Sequence, residues 1–429
     1  MAERFKAMRG THDILPEEAR VWRWVEDAFA AISRRYGYDE IRVPVFESTE
    51  LFERGTGFAT DVVQKEMYTF LDKKGRRLSL RPEATPSVIR AFLEHSLGRR
   101  AGISKFFYMG PMFRYDKPGA GRYRQFHQAG IEVIGTPSPG ADAEVIALFW
   151  AFLRELGLTR LGMRLNTLGC RACRIKYSEV LKDFLADKLE GLCGDCKERY
   201  ARNPLRVLDC KVAPCKVVLA GAPDISTILC AECVEHFGRV QACLKQAGID
   251  FRVDPKLVRG LDYYTRTVFE VYHEAVGVEN SLGGGGRYDH LVEEFGGPAT
   301  PAVGFSSGLE RVLLAMEAEK SAARGDGAID ATEVLFASLG ERAFVEAFTL
   351  AAEVRKRRRV WLEFDQRKLD RQLATAAKMG ARFTAMIGDD EIARGVVRIK
   401  DMVSGEQVEV KRQDVVAWLE DRLGGKRGE

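Results

Sequence analysis

Residues Phe113 to Gly135 read FRYDKPGAGRYRQFHQAGIEVIG. An apolar run from Phe106 to Phe113 stops at Arg114, a Gly/Pro/Lys loop follows, and a second run returns with polar side chains alternating along it. This is the pattern of a β-hairpin. A strand period of two sets Phe126, Gln128, Gly130 and Glu132 on one face, so an aromatic platform, an amide and a carboxylate share a surface beside Arg114. The planar fork of an arginine donates two parallel hydrogen bonds and suits phosphate. The hairpin therefore reads as a holder for an anion and a flat ring.

Before it, Val21, Val25, Phe29 and Ile32 recur at helical spacing, and Tyr36, Gly37 and Tyr38 close that helix ahead of an expected strand from Ile41 to Phe46. Pro44 inside this run implies an edge, a bulge or a contact with another chain. From there to about Ile134 strands alternate with turns, with one helix from Pro86 to Ser96, which predicts an antiparallel sheet; another helix is expected near Ala141 to Leu156. Residues 170 to 250 replace the strand pattern with cysteines and charged helices and read as an insertion. Strands resume at Phe251 and at Val268 to Tyr272, ahead of the glycine run Gly283 to Gly286. Glu317 to Ala331, rich in Ala, Glu, Gly and Asp, reads as a linker. Beyond it, strand-like runs begin at Val334, Val360, Phe383, Val396 and Val408, and helical stretches lie near 341 to 358, 367 to 379 and 413 to 423, which predicts a small α/β domain. The fold class is α+β: a first domain over 1–325 with a helical Cys-rich insertion at 170–250, and a second over 326–429.

With 429 residues, 46% of them hydrophobic, the chain has enough apolar material for two or three domains with real cores. The opening residues MAERFKAMRGTHDILP are charged, and no run of about 18 apolar residues occurs, so a soluble cytoplasmic protein without membrane attachment is expected. Lys and Arg number 66 against 62 Asp and Glu, a net charge of +4, which excludes a chain that binds nucleic acid by overall charge and leaves any RNA contact to local patches. All nine cysteines fall between residues 170 and 243; without a secretion signal this favours metal or redox chemistry over a disulfide framework.

Four further segments carry candidate chemistry. In Arg81-Pro82-Glu83-Ala84-Thr85 a carboxylate and a hydroxyl stand at a helix start, where they suit an ammonium group, and Thr85 equally suits a helix cap ahead of Pro86. Arg259, Asp262, Tyr263 and Tyr264 crowd one short segment with Gly260, either as a site or as an Arg259–Asp262 turn over buried tyrosines. The glycine run allows close backbone approach to a ligand, walls a tight pocket, or makes a flexible hairpin. Ala302 to Arg311 reads as a strand turning into a helix, with Arg311 in its first turns, poised at the strand end or on an ordinary amphipathic surface.

Together RGTHDILP, RPEATP, GPMFRYDKPGAGRYRQFHQAGIEVIG, LVRGLDYYTRTVFE, SLGGGGRYD and GFSSGLERVL resemble the bacterial histidyl-tRNA synthetases, class II aminoacyl-tRNA synthetases. The resemblance runs from Arg9 to the C-terminal helix and is weakest in the Cys-rich insert. It implies a six- or seven-stranded antiparallel catalytic sheet, a helical insert and a C-terminal α/β anticodon-binding domain. It also implies ATP with Mg²⁺, L-histidine and tRNA(His) as substrates, and a homodimer formed through the early helix and the Pro44 segment. Carried onto these positions, it implies that Glu83, Thr85 and Gln128 hold the α-amino group of histidine, that Glu132 and Tyr264 flank the imidazole, and that Ala84, Tyr263 and Arg259 complete that site. Arg114 would bind the α-phosphate, Phe126 would stack on adenine, and Arg122 and Arg311 would meet the distal phosphates and the other adenine face. Arg259 and Arg114 would be the catalytic residues. Ala84 stands where many members of the family carry glycine. A regulatory paralogue that binds histidine or a partner enzyme without catalysis stays open as a second reading; such proteins are expected to have lost Arg259 or the C-terminal domain, and both are present here, while another class II synthetase is disfavoured by the Tyr263-Tyr264 and glycine-run segments.

The cysteines fall as Cys170/Cys173, Cys193/Cys196, Cys210/Cys215 and Cys230/Cys233, with Cys243 left over. Such pairs have the spacing of zinc ligands. The preferred grouping is Cys193, Cys196, Cys210 and Cys215 in one structural site and Cys170, Cys173, Cys230 and Cys233 in the other, with His236 or Cys243 as a substitute ligand; reduced buried thiols and redox disulfides are the alternatives. Arg355 to Arg359 is a run of five basic residues, read as a solvated face in preference to an RNA patch.

Overall fold

The computed structural model describes residues 5–57, 60–99, 102–277, 281–320, 332–365 and 367–424. Two units divide the chain, Met1–Ala323 and Arg324–Glu429. The expected boundary at 325 lies outside the described residues.

The first unit opens with helix α1 (Pro16–Arg35), which has proline in its first turn, Glu17 and Glu18 at its start and Arg34 and Arg35 at its end, each placed as the helix dipole favours. Its strands are β1 (Asp39–Glu40), β2 (Phe46–Ser48), β3 (Thr69–Leu71), β4 (Arg77–Leu80), β5 (Ser104–Phe113), β6 (Gln125–Ile134), β7 (Leu161–Thr167), β8 (Arg252–Val253), β9 (Thr265–His273), β10 (Gly283–Arg287) and β11 (Ala302–Gly308). The remaining helices are α2 (Thr49–Thr56), α3 (Thr85–Glu94), α4 (Pro139–Glu155), α5 (Arg171–Leu185), α6 (Gly194–Arg202), α7 (Ala213–Leu219), α8 (Ala231–Gln246), α9 (Leu291–Glu294) and α10 (Leu309–Glu319).

The main sheet runs β1-β5-β6-β11-β10-β9-β7-β8. Pairings from β5 through to β7 are antiparallel, while the two-residue edges β1 and β8 pair in parallel. The implied antiparallel sheet of six or seven strands is thus six strands with two short parallel edges. The hairpin register pairs Phe113 with Gln125 and Phe106 with Glu132. Behind the sheet Phe29, Phe107, Phe149, Phe152 and Phe305 are buried in one core with α1 and α4, and Phe149 stacks on Phe305 at 4.4 Å. Each such ring contributes about 1.5–3 kcal/mol relative to exposure. Val240 and Leu244 of α8 join this core, so the last helix of the insert is part of the main body.

The glycine run is a fully buried central strand rather than a flexible hairpin. A Cβ at Gly285 would stand 2.0 Å from the Gly304 carbonyl, and one at Gly284 2.9 Å from Arg259 Nη1. Only bare backbone lets the sheet and the Arg259 guanidinium approach this closely.

Three expectations need correction. Ile41 to Phe46 is no continuous strand: pairing stops at Glu40 and restarts at Phe46, because Pro44 has no N–H to donate and the Arg81 guanidinium takes the Val43 and Pro44 carbonyls at 2.8 and 3.4 Å. Thr85 is no cap: Ala84 holds the N-cap position, and the Thr85 hydroxyl donates to Glu132 at 2.6 Å. The linker starts later than Glu317, since α10 runs on to Glu319, whose carboxylate accepts from the Thr159 and Arg160 N–H groups. Residues 321–331 lie outside the described residues.

The second unit orders its strands β13-β12-β14-β15-β16, with β12 (Val334–Ser338), β13 (Val360–Leu362), β14 (Phe383–Ile387), β15 (Val396–Asp401) and β16 (Gln407–Lys411). β12 pairs in parallel with β13 and β14, and the rest is antiparallel. Helices α11 (Glu341–Arg355), α12 (Leu369–Lys378), α13 (Asp389–Arg394) and α14 (Val415–Gly424) complete it; α13, too short for a periodic signal, was not expected. In the basic run, Arg358 is mostly buried and pairs with Glu333 and Glu420 at 3.2 and 3.1 Å, while its four neighbours are exposed. Among the described residues no helix is long and apolar enough to cross a membrane.

Candidate active site

One cleft of about 570 Å³ opens on the β5–β6 face of the main sheet, and its lining includes Glu83, Arg114, Arg122, Phe126, Gln128, Arg259, Tyr264 and Arg311. These are residues from the hairpin, from the segment before α3, from the segment before β9 and from the first turn of α10, all singled out in the sequence. Ala84, Thr85, Glu132 and Tyr263 stand behind this lining rather than in it; Ala84 is fully buried in the core beneath α3.

The hairpin brings Phe126 and Gln128 to the cleft, while Glu132 stands behind them. Arg114 leaves the end of β5, donates through Nε to the Pro82 carbonyl at 2.9 Å, and sets its guanidinium 5.4 Å from the Phe126 ring centroid. Arg122, in the loop, stands 3.5 Å from Asp116. Arg311 reaches back from α10 to the Gly121 and Ser281 carbonyls at 3.3 and 2.8 Å. Burial and then the neighbouring Arg122 and Arg114 charges hold the Arg311 guanidinium below the usual arginine value. Three guanidinium groups gathered at one end of a cleft make a site that gains by taking an anion.

Close to Arg114 and Arg259 the cleft also carries a carboxylate. Glu83 is buried and accepts from Thr56 Oγ1 at 2.7 Å and Tyr263 Oη at 2.9 Å. Burial pushes its carboxyl up, against the Thr56 hydroxyl and the Arg114 charge. Gln128 is buried on the cleft wall, and its Oε1 has no protein partner. An amide oxygen held dry and unpaired at a cleft wall is costly unless a ligand donor meets it. Glu132 accepts from Thr85 and from the Tyr288 hydroxyl, and its burial pushes the carboxyl up to about 8. Gly304 leaves it room: a Cβ there would lie 1.9 Å from Glu132 Oε2.

Arg259 is held from two sides. Nη1 donates to Glu270, which also accepts from Arg164, and the Arg259 carbonyl accepts from Arg206 Nη1 at 2.8 Å. Its Nε, buried, has no protein partner. Asp262 is not its partner, against the turn reading; Asp262 accepts from Asn203 at 3.0 Å. Residues the sequence reading passed over include Glu270, Arg206, Thr56, Tyr288 and Glu310, which fixes the hairpin by accepting from the His127 N–H at 2.8 Å. Tyr288 and Glu270 lay inside segments already singled out, SLGGGGRYD and LVRGLDYYTRTVFE, while the alternation along β9 was the signal for Glu270.

Arginines gathered beside an aromatic ring and a buried carboxylate, over an antiparallel sheet, suit activation of an amino acid by a nucleotide, and the fold is that of the class II aminoacyl-tRNA synthetases. Within that class the chain belongs to the histidyl-tRNA synthetase family, which it matches over residues 10–312. Residues 333–422 match the family described as anticodon binding domain. A histidine–tRNA ligase of Thermotoga petrophila is 47% identical over 421 residues, covering 98% of this chain and 99% of the relative. One of Moorella thermoacetica is 48% identical over 411 residues, 96% of each chain. The crystal structure of apo S. aureus histidyl-tRNA synthetase superposes with a TM-score of 0.82 at 35% identity, covering 97% of this chain and all of that one.

Proposed function

We propose that this protein ligates L-histidine to tRNA(His) in the cleft described above, taking ATP as its Mg²⁺ complex. A carboxylate oxygen of histidine attacks the α-phosphorus, the bond to the bridging oxygen of the β-phosphate breaks, and pyrophosphate leaves. A terminal ribose hydroxyl of the tRNA then attacks the acyl carbon and AMP leaves. No protein nucleophile is needed: fixed cations stabilise developing charge, and the pocket supplies orientation.

The observation that carries this reading is a pair of buried groups with unmet hydrogen-bonding capacity in one cleft, the acceptor Gln128 Oε1 and the donor Arg259 Nε. Histidine offers an ammonium to the first and a carboxylate to the second. Glu83 and Gln128 hold the ammonium. Tyr264 and Glu132 flank the imidazole, Tyr264 from the cleft wall and Glu132 from behind it. Arg114 holds the α-phosphate, Phe126 stacks on adenine, and Arg122 and Arg311 hold the distal phosphates and the second adenine face. Arg259 stabilises charge as the carboxylate attacks. The second unit reads the anticodon, and the protein works in the cytoplasm as a homodimer. Charging of total tRNA with labelled histidine, run against the other amino acids, tests the reading: one acceptor charged with histidine alone supports it, and charging with a different amino acid defeats it.

A further inference from the structure

Eight cysteines gather into two clusters, Cys170, Cys173, Cys230 and Cys233 in one and Cys193, Cys196, Cys210 and Cys215 in the other, with the sulfurs of each within 4.8 Å of one another. Sulfurs stand 3.7 Å apart for Cys170 and Cys173, 4.0 Å for Cys170 and Cys230, and 3.8 Å for Cys193 and Cys210. A tetrahedral ion with metal–sulfur bonds of about 2.3 Å separates its ligands by about 3.8 Å, whereas a disulfide needs about 2.05 Å. Backbone N–H groups point at these sulfurs as thiolates require: Cys170 N to Cys233 at 3.1 Å, Cys230 N to Cys173 at 3.2 Å, Cys193 N to Cys215 at 3.1 Å. Gly169, at φ +65°, makes the turn of the first cluster, where a Cβ would sit 2.4 Å from Cys173 Cβ. His236 does not join either cluster; it faces Asp142 at 3.6 Å. Cys243 lies exposed on α8 and belongs to neither. Four soft sulfurs in a closed set select Zn²⁺ among the common divalent ions.

The clusters meet one target. Arg206, buried and lying between Cys196 and Cys210 in sequence, donates to the Arg259 carbonyl at 2.8 Å. Arg174, next to Cys173, donates to the Tyr264 and Asp262 carbonyls at 2.8 and 3.2 Å. Asn203, one residue past α6, adds a bond to the Asp262 side chain at 3.0 Å. The stem of the first cluster is itself tied to the sheet, Leu168 N to Arg266 O at 2.7 Å and Arg266 N to Gly169 O at 2.8 Å. Cys193 and Cys210 reach the lining of the cleft.

We propose that each tetracysteine cluster holds a Zn²⁺ and that the two metal-pinned knuckles fix the Arg259–Tyr264 segment from opposite ends through Arg206 and Arg174. The metal half stands on the sulfur geometry; the positioning half rests on the catalytic reading given above. Arg206 and Arg174 are positioning residues, since they reach the reaction only through the backbone they hold.

Metal analysis of the full chain, purified without metal-affinity resin, is expected to give two zinc ions per chain, matching the two clusters. Cobalt exchange should add thiolate-to-cobalt absorption. Arg206→Ala should keep both zinc ions and lower kcat for histidine-dependent pyrophosphate exchange by at least about tenfold, with histidine KM changed less than about threefold, since misplacement of a catalytic group acts on the chemical step. Arg206→Lys should recover part of the loss. Zinc at background overturns the metal assignment, and full zinc with kcat of Arg206→Ala within about twofold of the parent overturns the positioning role. A parent protein with two zinc ions and no exchange defeats the catalytic reading while leaving the metal sites standing.

Discussion

Arg259→Ala should cost adenylate formation far more than it costs the fold. Removing one preorganised donor from an active site lowers kcat by about 10²–10³, or roughly 2.7–4 kcal/mol. The structural cost is smaller, because Glu270 keeps Arg164 as a partner when Arg259 is lost. Destabilisation should therefore stay under the roughly 3–5 kcal/mol that follows when a buried charge loses its only counter-ion. The assay is histidine-dependent exchange of labelled pyrophosphate into ATP, with kcat and both KM values, alongside urea unfolding of the same preparation. Arg114→Ala, which removes the α-phosphate contact proposed for the hairpin, is the comparison. If Arg259→Ala retains near-full adenylate formation while Arg114→Ala abolishes it, the assignment of Arg259 to the chemical step is wrong.

Gly304→Ala should lose about 1–3 kcal/mol or more, because the new Cβ meets Glu132 Oε2 at 1.9 Å and the Ile131 carbonyl at 2.4 Å, while Gly308→Ala, with open space around it, should stay within about 0.5 kcal/mol; urea midpoints decide. Arg287, fully buried, bonds Asp142, the Thr136 carbonyl at 2.9 Å and Asp289 at 3.0 Å, so Arg287→Met should cost roughly 3–5 kcal/mol by stranding Asp142, read by the same unfolding curves. Glu132 binds its proton more tightly folded, at about 8 against 4.5. Between those values the folded state holds more protons, so its contribution to stability is present below about pH 4.5 and is lost as pH rises through about 8; Glu132→Gln should flatten that part of a stability–pH curve, and an unchanged curve refutes the burial argument.

The catalytic body was legible in sequence where local chemistry is dense. The hairpin from Phe106 to Ile134 was visible from the alternation of polar and apolar residues along its second strand, which brings Phe126 and Gln128 to the cleft. The two cysteine groupings were visible from spacing, since a short loop between paired cysteines leaves few ways to close a tetrahedron. What escaped depends on contacts distant in sequence. The Val43 and Pro44 carbonyls are claimed by Arg81, some 37 residues on, which no window over Ile41 to Phe46 contains. Thr85 looked like a cap because the local sequence permits one; Glu132, 47 positions away, competes for its hydroxyl and wins. Arg287 sits beside the glycine run with nothing local to mark it as core, because its partner Asp142 lies 145 positions back. Arg206 gave no motif at all, because its role is the backbone carbonyl it holds.

Pyrophosphate exchange measured with each amino acid in turn tests the central claim most directly, because it reads adenylate formation in this cleft without requiring tRNA. Exchange that depends on histidine and is supported by no other amino acid is the predicted result. Exchange driven by another amino acid, or histidine binding with no exchange, would contradict the account.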